Sequence, residues 1–296
     1  MPARIPVILN PAARSTQAAA REQALRLLSP EPELVLTSGP GEATEIAEKL
    51  AREGHPLVVA AGGDGTMNEV LQGISHVNAE RAPGEKHTAL GVMPVGTMNV
   101  FSLELGLPSQ DLAACWGRIS SGHFREVDLW MANHQYFVQL AGVGFDAEII
   151  QETSWENKKR YGPLSYVMSA MQVLTREPPV LSVNVPGRPA LHGSVVLIGS
   201  GKHYGGPVPV FPRASNQDGL LDLLIFRGLG GWEFAQMLRA ILEGRYEPAE
   251  DIDYLQVREF TVTASPEAPL EVDGELALSS TPAVFKPAPF KLQVAV

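Results

Sequence analysis

Up to about residue 125 the apolar positions alternate between short continuous runs and a spacing of three to four. Short apolar runs bounded by turn residues read as buried strands, and the wider spacing reads as helix. The runs are RIPVILN (4–10), ELVLT (33–37), PLVVAAGG (56–63) and ALGVMPVG (89–96). Helical segments are TQAAAREQALRLLS (16–29), EATEIAEKLARE (42–53), TMNEVLQGI (66–74) and SQDLAACWGRIS (109–120). In the last of these Ser109 stands as the helix cap, with Asp111 in the first turn. Strand and helix in alternation predict an α/β layer.

Beyond that point strand signals dominate. They are REVDLWMA, QYFVQLAG, VLSVNV, GSVVLIGSG, LLDLLIFRG, YLQVREFTVTA, PLEVDGELA, AVFKPAP and FKLQVAV. Two helical islands interrupt them, at about 163–175 and 232–243. Many short strands with Gly and Pro punctuation predict a β-sandwich. The expected domains are 1–125 (α/β) and 126–296 (sandwich), with the last strand free to return to the first domain.

Composition narrows the function classes. The 296 residues carry a formal charge of −10, against the basic footprint that nucleic-acid binding needs. Cys115 is the sole cysteine, so no intramolecular disulfide forms and a reducing, cytosolic setting is expected. No apolar run approaches the ~20 residues of a membrane span, and Met1–Asn10 lacks the layout of a signal peptide. The seven histidines show no metal-ligand spacing, and Trp130, Trp155 and Trp232 read as core or rim.

The chemistry concentrates at strand ends. After PLVVAAGG comes the turn Gly62, Gly63, Asp64, Gly65, Thr66, and then the helical Met67 and Asn68. Strand, glycine-rich turn and helix is the layout of a phosphate cradle: glycines let the backbone approach, and the helix N-terminus offers free N–H groups. The lysine-bearing GxxxxGK[ST] loop is absent. Asp64 suits a bound Mg²⁺ or an attacking hydroxyl; the plainer reading is a helix cap. A second such turn, Gly96–Thr97, follows the next strand, and Asn10–Thr16 and Thr37 follow the first two. Ligands of open α/β sheets bind at that edge. By spacing alone Asp218 (QDGL) and Glu275 (VDGEL) are turn residues.

The order NPAARS, GGDGTMNEV, PVGTMNVFSLELGLP, AGVGFDAEI, KKRYGPLSYVMSAM, GKHYGGPVPVFPRASNQDGLLDLLIF and LEVDGE resembles the diacylglycerol kinase catalytic superfamily in its bacterial lipid-kinase form. The resemblance implies a Rossmann-like α/β nucleotide-binding domain, a C-terminal β-sandwich and an active cleft between them. It implies Mg²⁺-dependent transfer of the γ-phosphate of ATP to a lipid hydroxyl by a cytoplasmic protein that touches the membrane transiently, and it leaves room for a homodimer. By position, Asn10, Pro11, Ala12, Ala13, Arg14, Thr37, Gly62 to Asn68, Gly96 and Thr97 match the nucleotide-binding segments. Glu275 matches the proton acceptor, with Asp64 and Asp128 as further catalytic carboxylates, and Ser215, Asp218 and Leu220 match a metal site. Two positions depart from the usual pattern. Val100 stands where an acidic residue is common, and Ala13 and Arg14 replace Ser-Gly. The basic run Lys158–Arg160 suits anionic head groups or a solvated helix face. Alternatives are an NAD kinase-like or other GGDGT kinase, although the Thr-Pro-Thr-Gly-Ser stretch expected of NAD kinases is absent, and a catalytically silent lipid-binding protein.

Overall fold

Four of the apolar runs become parallel strands of one sheet in the computed structural model, which describes residues 4–11, 18–109, 111–152, 173, 176–228 and 252–296. The strands are β1 (Pro6–Leu9), β2 (Glu33–Leu36), β3 (Leu57–Gly62) and β4 (Ala89–Pro94). Every residue of β1, β3 and β4 is buried, as expected of parallel strands covered on both faces. Two further strands, β5 (Phe124–Val127) and β18 (Leu292–Ala295), complete the order β2-β1-β3-β4-β18-β5. β18 runs parallel to β4, and β5 antiparallel to β18.

The helices of this unit are α1 (Ala18–Arg26), α2 (Glu42–Arg52), α3 (Asp64–Glu80), α4 (Val100–Glu104) and α5 (Leu112–Ile119). α3 is longer than the expected 66–74, because Ser75, Val77 and Asn78 continue its buried face. The cap of α5 is Asp111, whose Oδ1 accepts the N–H of Ala114 at 2.9 Å. That corrects the Ser109 assignment. The buried face Cys115–Trp116–Ile119 starts the helix at Leu112, so only the residue directly before it can cap. Burial pushes the Cys115 thiol up to about 11.

The chain divides into two units, Met1–Leu129 with Ala288–Val296, and Trp130–Pro287. The second unit has two six-stranded sheets. One contains β6 (Trp130–Ala132), β7 (Gln135–Phe137), β9 (Val180–Asn184), β10 (Leu191–Gly193), β14 (Phe260–Ser265) and β17 (Ala283–Pro287), in the order β10-β9-β14-β17-β6-β7. The other contains β8 (Leu140–Gly144), β11 (Val195–Gly199), β12 (Leu221–Phe226), β13 (Ile252–Val257), β15 (Pro269–Val272) and β16 (Glu275–Ser280), in the order β13-β12-β11-β8-β15-β16. Trp130, Phe137, Phe260 and Phe285 of the first sheet share one core with Val143, Ile198, Leu223 and Val272 of the second. This is the expected sandwich.

Four strand-like stretches are each cut in two, and one of them, QYFVQLAG, supplies β7 and β8 to different sheets. REVDLWMA supplies β5 to the first unit and β6 to the second. YLQVREFTVTA supplies β13 and β14 to different sheets, the chain crossing the sandwich at Arg258–Glu259. PLEVDGELA is the hairpin β15–β16. A helix that the strand pattern did not announce, α6 (Phe145–Glu152), follows β8. The island at 232–243, Trp155, Trp232 and Lys158–Arg160 lie outside the described residues, and so does the island at 163–175 apart from Val173.

Helices α2 and α3 meet at Gly73. A Cβ there would lie 2.4 Å from the Thr44 carbonyl oxygen and 2.8 Å from the Ala47 Cβ. Gly73→Ala is therefore expected to lower stability by ~1–3 kcal/mol in urea unfolding, although alanine is the better helix former. A neutral or stabilising result would show that the two helices separate at little cost.

Candidate functional site

Because β2, β1, β3 and β4 are parallel neighbours, their carboxyl ends share one edge. Short backbone bonds carry the register into the turns. Thr37 N–H donates to the Leu9 carbonyl at 3.0 Å, Asn10 N–H to Ala61 at 3.4 Å, and Gly96 N–H to Gly62 at 3.0 Å. Asn10 Nδ2 reaches Thr66 Oγ1 at 3.5 Å. The edge thus assembles Asn10, Pro11, Thr37, Gly62 to Thr66, Gly96 and Thr97. Met67 and Asn68 turn inward: Met67 is core, and Asn68 Oδ1 accepts from Gln72 Nε2 at 3.3 Å. Ala12, Ala13 and Arg14 lie outside the described residues.

The glycines of the two turns make room for each other. A Cβ on Gly96 would sit 2.3 Å from the Gly63 Cα, and one on Gly62 would sit 2.3 Å from the Thr66 Cβ. Asn99, at φ 50°, closes the second turn by accepting the Gly96 N–H at 3.1 Å and donating to its carbonyl at 3.0 Å. The Asp64 Oδ1 then accepts the N–H of Val100 at 2.8 Å. Asp64 therefore caps α4, the helix of the neighbouring turn. Burial raises its carboxyl above the usual value, and the N–H groups of Val100, Asn99 and Phe101 oppose that rise. Position 100 acts here through its backbone, which a valine supplies as well as an acid does. α3 itself has Gly63 as its N-cap and no side-chain cap, and such a helix end favours an anion.

Other carboxylates of this unit also tie elements together. Glu69 of α3 accepts the N–H groups of Gly41 (2.9 Å) and Ala43 (3.1 Å), capping α2. Sequence reading missed it; the only local signal is that GPGEA starts a helix with no capping side chain of its own. Asp128, only 6% exposed, pairs with Lys291 at 2.9 Å.

In the second unit Asp218 Oδ1 accepts the Leu220 N–H at 3.0 Å, and Asp218 N–H donates to the Ser215 carbonyl at 3.3 Å. This is an Asx turn. Its oxygens are hard donors of the kind Mg²⁺ takes while keeping several waters. Among the described residues no group of three or more His, Cys, Asp or Glu is arranged to hold a metal. Beside this turn buried Asp222 accepts from Tyr254 Oη and, at 3.4 Å, from Gln256. Burial raises both the Asp222 carboxyl and the Tyr254 phenol. Glu275 opens the edge strand β16 and is exposed. The two acids before it, Glu271 and Asp273, are buried and were not singled out from sequence.

The contact between the turns leaves no room for a side chain at position 96. Gly96→Ala is expected to lower stability by ~1–3 kcal/mol, measured by thermal unfolding with a denaturant series. Unchanged stability would show that the turns part freely.

A model of the diacylglycerol kinase catalytic domain matches residues 4–132, and one of the YegS C-terminal NAD kinase beta sandwich-like domain matches 139–296. A diacylglycerol kinase of Bacillus subtilis (strain 168) is 31% identical over 242 residues, covering 81% of this chain and 77% of that protein. The crystal structure of a diacylglycerol kinase from Bacillus anthracis str. Sterne shares the fold, with a TM-score of 0.73 at 21% identity over 99% of this chain and 96% of that one. An NAD kinase of Archaeoglobus fulgidus, solved with ATP, is a more distant fold relative, with a TM-score of 0.53 at 14% identity, covering 99% and 94% of the two chains. With both halves matched in order and a relative of this identity over most of its length, the chain belongs to the diacylglycerol kinase family of lipid kinases.

Proposed function

We propose that this protein transfers the γ-phosphate of ATP to the hydroxyl of diacylglycerol or a closely related lipid. The observation that carries the reading is the glycine-lined edge at the carboxyl ends of β1 to β4, with the uncapped N-terminus of α3 on it. Phosphoryl transfer needs placement and charge neutralisation more than covalent help from the protein. The turns at Gly62–Thr66 and Gly96–Thr97, with Asn10 and Thr37, cradle the phosphates. Asp64 is a positioning residue, because its carboxylate fixes one turn against the other. Glu275, exposed at the start of its strand, takes the proton of the lipid hydroxyl. Asp128, held by Lys291, is a tie between the end of β5 and the β18 segment in this reading.

Mg²⁺ accompanies ATP and, when bound, neutralises phosphate charge. Ser215 and Leu220, through their carbonyls, and Asp218, through its carboxylate, would hold a metal in the second unit. No helix among the described residues is long and apolar enough to cross a membrane. We place the protein in the cytoplasm, in transient contact with the membrane that holds its substrate.

The test is a labelled-ATP assay with diacylglycerol, phosphatidylglycerol, sphingoid bases, ceramide and NAD as acceptors. Label in a lipid supports the reading, and label in NAD alone overturns it. Glu275→Gln is expected to lower kcat by roughly 10²–10⁴-fold with ATP affinity unchanged; a variant that loses only ATP binding contradicts the proton-acceptor role. Asp64→Ala is expected to fold and to lose turnover, and near-parental activity would remove Asp64 from the mechanism.

A further inference from the structure

The turn before Glu275 is held by more buried charge than a turn requires. Asp273 and Gly274 are its central residues, at φ 49° and 85°, and Val272 pairs with Glu275 across it. An Asp-Gly pair meets that geometry with its side chain in solvent. Here the Asp273 carboxylate is buried and leaves the turn. Its Oδ1 accepts the N–H groups of Gln139 at 2.9 Å and Leu140 at 3.1 Å, and its Oδ2 accepts that of Val138 at 3.2 Å. Glu271 is fully buried, and its Oε2 accepts the Gly274 N–H at 2.9 Å. Its Oε1 accepts the phenolic O–H of Tyr204 at 2.9 Å.

Gln139 closes the circuit. Its side-chain amide donates to the carbonyl of His203, the neighbour of Tyr204, at 2.9 Å. Its own carbonyl accepts the Ser200 N–H at 2.9 Å. The ring therefore runs from Asp273 through Gln139 to the 200–204 segment, and back through Tyr204 and Glu271 to Gly274. In these bonds both carboxylates accept, and each oxygen has a donor. Burying two carboxyl groups is costly even when they are hydrogen-bonded, and a stable hairpin does not need them. What the ring fixes is the point where β16 begins, which is the backbone of Glu275.

We propose that Glu271, Asp273 and Tyr204 are positioning residues for Glu275, holding its carboxylate where the acceptor hydroxyl is deprotonated. The proposal rests on the role given to Glu275 above. It also gives the Tyr of GKHYGG a purpose that the sequence motif does not explain.

A double-mutant cycle tests it. kcat and KM are measured for the parent, Tyr204→Phe, Glu275→Gln and the double variant, with ATP and dioleoylglycerol in mixed micelles, and Asp273→Asn is added as a second probe. Tyr204→Phe removes one hydroxyl and leaves the ring that packs near Phe211. It is expected to lower kcat about tenfold with KM for ATP nearly unchanged, and to add nothing in the Glu275→Gln background. A purely structural tie would lower the melting temperature and leave kcat unchanged below it. Equal losses in both backgrounds, or full kcat in folded Tyr204→Phe, overturn the proposal and leave Glu275 as the proton acceptor. A Glu275→Gln variant with parental kcat overturns both.

Discussion

The hydrogen bond from the Val100 N–H to the Asp64 carboxylate ties together the two glycine turns at the carboxyl ends of β3 and β4. Two turns with no side chain at Gly63 or Gly96 can slide unless something fixes their relative position. The backbone contact sets the distance between them, and the Asp64 bond sets the register. The N-cap of α3 is Gly63, which has no side chain with which to cap the helix. A helix start without a side-chain cap, beside glycine turns, favours an anion by elementary electrostatics. Under the proposed function the aspartate serves the phosphate indirectly, by fixing one turn against the other.

The same use of carboxylates recurs through the molecule. Glu69 caps a helix other than its own, Asp128 holds Lys291, and Glu271 and Asp273 clamp the hairpin turn. Each is an acid whose oxygens accept backbone or side-chain donors, and all but Glu69 are buried. An ionised carboxylate can accept several donors at once and donates none, which makes it a rigid node between segments far apart in sequence. A net charge of −10 therefore describes in part a set of internal ties and not only an acidic exterior.

Much of the fold was legible in local pattern. The continuous apolar runs of β1, β3 and β4 and the glycine turns after them follow from burial on both faces of a parallel sheet. The strand-rich second half read as a sandwich, and it is one. Pattern did not reveal which sheet a strand joins. YLQVREFTVTA reads as one strand, yet it feeds two sheets, because alternation records which residues are buried and not which neighbour buries them. Helix α6 was hidden for a related reason: it directly follows β8, and its apolar residues continue that strand's run.

The residue types of the site came from the sequence by itself. Glycines next to an aspartate at a strand end carry chemistry that local spacing reveals, whereas the Asp-Gly turn before Glu275 reads by spacing as a plain turn and gains a role only through the family resemblance. What each acid touches was decided only by tertiary structure. Asp64 bonds a residue 36 positions away, and Asp273 bonds others more than 130 positions away. A carboxylate has no directional preference written in its neighbours. Its partner is set by which backbone N–H groups the packed strands leave unpaired within its reach, and that exists only once the sheets have formed.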